Sequence, residues 1–107
     1  MIKNNTPKTS APSSSLTLRW QVVHADALGA LKHTLDASVD AMVTDPPAGI
    51  SFGGHEWDSA RGGRAGWTTW LSSILREGRR TMKPGSHALV WAFPRTSHWT
   101  ALALEDA

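Results

Sequence analysis

The chain has 107 residues, a formal net charge of +2, 40% hydrophobic and 19% charged residues. That is one domain or a piece of one, able to bury about two-thirds of its unfolded surface, too apolar for wholesale disorder and too polar for a membrane protein. With no cysteine, a disulfide scaffold, thiol catalysis and thiolate zinc sites are excluded.

Residues 1–15 are Ser, Thr, Pro, Asn and Lys with almost nothing to bury, and they read as a disordered tail. From Leu16, the residues Leu16, Leu18, Trp20 and Val22 alternate with Thr17, Arg19 and Gln21, which predicts a strand ending near His24. Asp26 stands where a helix cap belongs, followed by Leu28, Leu31 and Leu35 at helical spacing. Residues 39–44 (Val-Asp-Ala-Met-Val-Thr) are strand formers, and Asp45-Pro46-Pro47 ends them because proline cannot continue a central ladder. Residues 48–66 hold six glycines and no clear period, so they predict a long loop.

Trp67, Trp70, Leu71, Ile74, Leu75 and Met82 then mark the apolar face of a helix that Lys83-Pro84-Gly85 should stop. Arg76, Arg79 and Arg80 fall on its other face as surface residues. Residues 87–93 read as a strand buried on both faces, and a last helix follows Pro94-Arg95-Thr96-Ser97 with Trp99, Leu102 and Ala103 on one side. Strand, helix, strand, loop, helix, strand, helix is the order of an α/β layered sheet with parallel strands and right-handed crossovers. Three strands and a short last helix make only part of such a sheet.

The longest apolar run, residues 88–93, is far below the roughly 20 residues of a membrane helix. The amino terminus has no signal-peptide core, so the chain reads as cytoplasmic. The five histidines show no metal-binding spacing, and no metal is expected. Charge is uneven. Asp26, Asp36, Asp40, Asp45, Glu56 and Asp58 face only Lys32 across residues 20–58, whereas Arg61, Arg64, Arg76, Arg79, Arg80, Lys83 and Arg95 face only Glu77 across residues 59–95. An acidic half beside a basic half would suit a cationic group next to a polyanion; on charge alone, two differently solvated faces are the preferred account.

Ligands of open α/β sheets sit beyond the carboxyl ends of the strands, where Asp45-Pro46-Pro47-Ala48 falls. Chance places an Asp-Pro-Pro in a chain of this length on the order of once in a hundred. Such a turn suits methylation of an exocyclic amino group on a base, whose lone pair is delocalised into the ring. A carboxylate and a backbone carbonyl accepting from the NH2 localise that pair, and two prolines hold the carbonyl rigid without adding a donor. A rigid turn after a strand has the same residues, and the motif alone leaves both readings open.

Asp26-Ala27-Leu28, then Ser38-Val39-Asp40-Ala41-Met42-Val43-Thr44-Asp45-Pro46-Pro47, resembles the opening of DNA amino-methyltransferases acting on adenine N6 or cytosine N4. Gly49-Ile50-Ser51-Phe52, Glu56-Trp57-Asp58, Met82-Lys83-Pro84-Gly85 and Trp91-Ala92-Phe93-Pro94-Arg95-Thr96-Ser97-His98-Trp99 are similar to phage- and prophage-borne members. The resemblance spans roughly residues 18–107. It implies a partial Rossmann-like methyltransferase fold, three-layer α/β/α with mainly parallel strands, over residues 16–107 and cut short at the carboxyl end. It also implies S-adenosylmethionine as methyl donor and double-stranded DNA with a flipped target base as partner.

In that comparison Asp45 and the Pro46 carbonyl, stiffened by Pro47, hold the target amino group. The family's next residue is usually an aromatic that stacks on the base; here it is Ala48, so Phe52 or Trp57 would take that part. Asp26 resembles an acid near the donor's adenine, and helix capping explains it too; Asp45 also borders the donor. Arg61 and Arg64 are candidate phosphate contacts. The family's Phe-x-Gly-x-Gly donor loop has no counterpart, since Gly62-Gly63-Arg64-Ala65-Gly66 follows no strand, so the resemblance is to an amino-terminal fragment, complete in its catalytic turn, lacking the main cofactor site and expected to have little or no activity alone. The alternatives are a non-catalytic nucleic-acid-binding remnant and an RNA amino-methyltransferase, whose Asp/Asn-Pro-Pro turn is similar.

Overall fold

The computed structural model describes residues 19–107. The expected tail over residues 1–15 and the first residues of the expected strand at 16–24 lie outside them. The order is α1 (Ala27–Lys32), β1 (Val39–Thr44), α2 (Arg64–Thr81), β2 (Met82–Val90) and α3 (Ser97–Asp106), with short 3-10 turns at Phe52–Gly54, Glu56–Asp58 and Pro94–Thr96. This is a small α/β arrangement with a two-stranded parallel sheet and three helices.

The parallel pair is joined through α2, as parallel strands require a long crossover. Ala41, Met42, Val43 and Thr44 pair with His87, Ala88, Leu89 and Val90 in order, and Trp91 N–H donates to the Thr44 carbonyl at 2.8 Å. Val39 already pairs with Met82. The Lys83-Pro84-Gly85-Ser86 segment is therefore extra length on β2, thrown out of the ladder where proline has no N–H to contribute. The helix expected to run through Met82 thus stops at Thr81, and the strand begins directly at Met82. Lys83 is tied back to Asp40 at 2.6 Å, and Ser86 Oγ donates to the Val39 carbonyl at 3.3 Å.

The core lies on one side of this sheet. Trp67, Leu71 and Leu75 of α2 and Ala103 of α3 are buried, with Met42, Val90, Trp70 and Trp99 packed around them. The helical spacing read for α2 places these residues on its inner face as expected. Trp67 meets Trp70 and Trp99 with ring centroids 6.1 and 5.9 Å apart, tilted rather than stacked, a favourable arrangement for aromatic quadrupoles. Arg80 is not a bare surface residue. Its guanidinium donates to the Leu31 and Thr34 carbonyls at 2.7 and 3.0 Å and pairs with Asp36 and Glu77, fastening the end of α1 to α2. Arg76 and Arg79 donate to the carbonyls of Asp106 and Ala107.

Two expectations are corrected here. Residues 19–24 form no strand, and Trp20 and Val22 are exposed: a period of two specifies a face but not a partner strand. The strand read as buried on both faces is covered on one only, with Leu89 69% and Trp91 73% exposed beside Val43 at 78%. Among the described residues all the buried hydrophobic side chains come from α2 and α3. Substituting Leu71→Ala should cost about 2–5 kcal/mol, as for other buried leucines, read as a lowered urea midpoint with a largely unchanged slope.

Candidate functional site

β1 ends at Thr44, and Asp45-Pro46-Pro47 leaves the carboxyl edge of the sheet. The Asp45 side chain is exposed. Among the described residues no hydrogen bond or ion pair engages its carboxylate or the Pro46 carbonyl. The turn borders a cleft of about 620 Å³ between β1, α1 and α2. Its walls are mostly apolar, from Leu31, Met42, Leu71 and Ile74, and its polar groups are Asp26, Asp45 and Arg61.

Asp26 caps α1, its Oδ2 accepting from Gly29 N–H at 3.1 Å, which satisfies one of the free amides at a helix start. It reaches the cleft rim as well. Arg61 lies over the Trp70 ring, its Cζ 3.8 Å from the centroid, and donates weakly to the Trp57 carbonyl at 3.4 Å. A guanidinium on an aromatic face keeps its charge while losing part of its water. Arg61 is thus partly sheltered beside the turn, whereas Arg64 starts α2 and lines a separate hollow with Thr68, Leu102 and Asp106. The structure therefore brings Asp26, Asp45, Pro46, Pro47 and Arg61 together and leaves Arg64 apart. Phe52 and Trp57 are exposed on the loop, and Trp57 stacks on His55 at 5.7 Å.

The loop after the turn is organised by a residue to which the sequence reading gave no role. Asp58 is 1% exposed. Its Oδ1 accepts from Gly49 N–H at 2.9 Å, and its Oδ2 accepts from Phe52 N–H at 2.9 Å and Ile50 N–H at 3.3 Å. Its own carbonyl accepts from Ser51 N–H at 2.8 Å. Burial pushes this carboxyl up, but the amides of Phe52, Gly49 and Ile50 outweigh it and hold the group below the ordinary carboxylate range. On the other side of the turn, Thr96 Oγ1 donates to the Ala48 carbonyl at 2.6 Å. Neither residue carried a sequence signal beyond its place, Asp58 inside a glycine-rich loop and Thr96 after a strand.

Gly49 completes the packing. Its φ is +75°, and a Cβ there would lie 2.6 Å from Trp67 Nε1. The turn therefore rests directly on the core tryptophan, and only glycine allows the approach. Gly49→Ala should destabilise by at least about 1–2 kcal/mol from the left-handed backbone alone, before the indole is displaced, measured by thermal unfolding. For Asp58 the folded pKa lies below the unfolded value of about 3.9, so its contribution is full above that value and fades as pH falls through the folded one. The stability gap between wild type and Asp58→Asn, followed by urea unfolding, should hold steady above about pH 5 and close in stronger acid.

Among the described residues no helix is long and apolar enough to cross a membrane, and no group of three His, Asp or Glu is placed to hold a metal ion. No protein-family model matches the chain, and neither a curated protein nor a solved structure matches it.

Proposed function

We propose that the chain carries the catalytic turn of an S-adenosylmethionine-dependent methyltransferase acting on the exocyclic amino group of adenine or cytosine in DNA. The observation that carries this reading is the pair of unengaged acceptors, the Asp45 carboxylate and the Pro46 carbonyl, at the carboxyl end of a parallel strand and on the rim of a cleft. An NH2 has two hydrogens to give, and two acceptors on one rigid turn accept both. As they do, its lone pair is withdrawn from the ring and exposed to attack an electrophilic methyl group.

The cleft suits a nucleoside sulfonium in its chemistry: apolar walls for the base, and the carboxylates of Asp26 and Asp45 for hydroxyls and positive charge. Bound there, the donor would supply the methyl group. Asp26, Leu31 and Ile74 would hold it, Asp45 and Pro46 would orient the acceptor nitrogen, and Arg61 on Trp70 would sit within reach of a flanking phosphate. Phe52 and Trp57, exposed on the adjoining loop, are the aromatic surfaces available to an extruded base where the turn itself offers only Ala48. The bare sheet face of Val43, Leu89 and Trp91 is where the second helical layer of a Rossmann-like α/β/α fold would pack.

The test is transfer of labelled methyl from S-adenosylmethionine with duplex DNA and RNA competing in one reaction. Label should enter DNA amino groups, and Asp45→Ala should lower the rate by about 10²–10³, the loss typical of removing one group that stabilises a transition state. The unfolding midpoint should not move, since Asp45 is exposed and its side chain holds none of the described residues. Undiminished transfer by the alanine variant, or preferential labelling of RNA, would overturn the reading. Binding to any nucleic acid without transfer, fading steeply with salt and blind to sequence, would instead identify a non-catalytic binder.

A further inference from the structure

We infer that Asp58 and Thr96 are positioning residues for the Asp45-Pro46-Pro47 turn, gripping the backbone immediately after it from two sides. Neither belongs to the turn. Asp58 arrives from the loop, nine residues beyond Gly49, and Thr96 from the 3-10 turn Pro94–Thr96 after β2, 48 residues beyond Ala48. Both side chains are almost completely buried. Their bonds fall on one short stretch: Thr96 takes the Ala48 carbonyl, and Asp58 takes the amides of Gly49, Ile50 and Phe52.

The consequence is a fixed turn. Thr96 binds the Ala48 carbonyl with the shortest hydrogen bond at the turn, 2.6 Å, so the peptide that follows Pro47 cannot rotate without breaking a partly buried bond. The Asp45 carboxylate and the carbonyls of Pro46 and Pro47 accept no hydrogen bond among the described residues. Asp58 holds the other side of the same peptide segment. Among the described residues it has no ion-pair partner, so its charge rests on the backbone amides alone. A buried carboxylate survives only while those amides stay converged, so the charge penalises every loop conformation that would let the turn rotate. Trp67, under Gly49, closes the remaining side.

The experiment compares Thr96→Val, which keeps the shape and loses the hydroxyl, with Thr96→Ser, which keeps the hydroxyl, in the whole chain by amide hydrogen exchange. Valine should lower protection at Gly49 and Phe52 at least about tenfold, the change expected from one lost buried hydrogen bond, and serine should restore it. Equal protection in both variants would overturn the inference. Should the valine variant not fold, the unmodified chain decides. Gly49, Ile50 and Phe52 should exchange through one shared opening, and three unrelated fast rates would overturn the clamp.

A second readout rests on the methyltransferase reading: valine should lower kcat with little change in KM for DNA, and serine should rescue it. A change in KM alone would overturn the positioning role. If the unmodified chain transfers no methyl group, that reading fails, and the exchange measurements still judge the clamp.

Discussion

Burying Trp67 is the constraint on which the other contacts turn. Its ring is the largest fully buried side chain, it belongs to α2, it faces Trp99 of α3, and its indole edge lies against the backbone at Gly49. One side chain thus joins the long helix, the last helix and the turn after β1. Large aromatics dominate core energetics through the area they bury, which matters where the buried hydrophobic core of the described residues has only Leu71, Leu75 and Ala103 beside it. The cost is local: the indole N–H finds no partner among the described residues, and position 49 accepts no side chain.

Around that anchor, polar chemistry does what packing cannot. The loop between β1 and α2 has few apolar side chains to bury, and Phe52 and Trp57 both point to solvent. A segment of this kind has low stability unless its backbone groups are bonded. Asp58 bonds three of them with a charge, Thr96 a fourth with a hydroxyl, and the two short 3-10 turns add bonds of their own. The result is a loop held firmly at its root, beside Asp45, and open at its aromatic tip.

The sheet is finished on one side only. Parallel sheets ordinarily have both faces covered, and here the Val43, Leu89 and Trp91 face remains open while its opposite carries the core. This asymmetry explains why the strongest apolar run in the chain is among its more exposed segments. Hydrophobicity specifies that a strand should be buried; it does not supply the layer that buries it.

Much of the local structure was legible in the residues. Asp26 as a helix cap, the inner face of α2, the stop at Asp45-Pro46-Pro47 and the last helix all depend on neighbours within a few residues, so their signals are periodic or local. Lys83-Pro84-Gly85 do follow the end of α2, but proline and glycine mark a break without showing that the next strand has already begun at Met82. Asp58 beneath Gly49, Thr96 on Ala48, Arg80 on the end of α1 and Arg61 over Trp70 were not legible at all. For α1, β1, α2 and α3 the residues alone established which segments coil or extend, because backbone propensity and amphipathic period are short-range. Which acceptors of the turn stay free, and which sheet face is bare, was decided by tertiary contact alone, because those outcomes depend on side chains that meet only once the strands have paired.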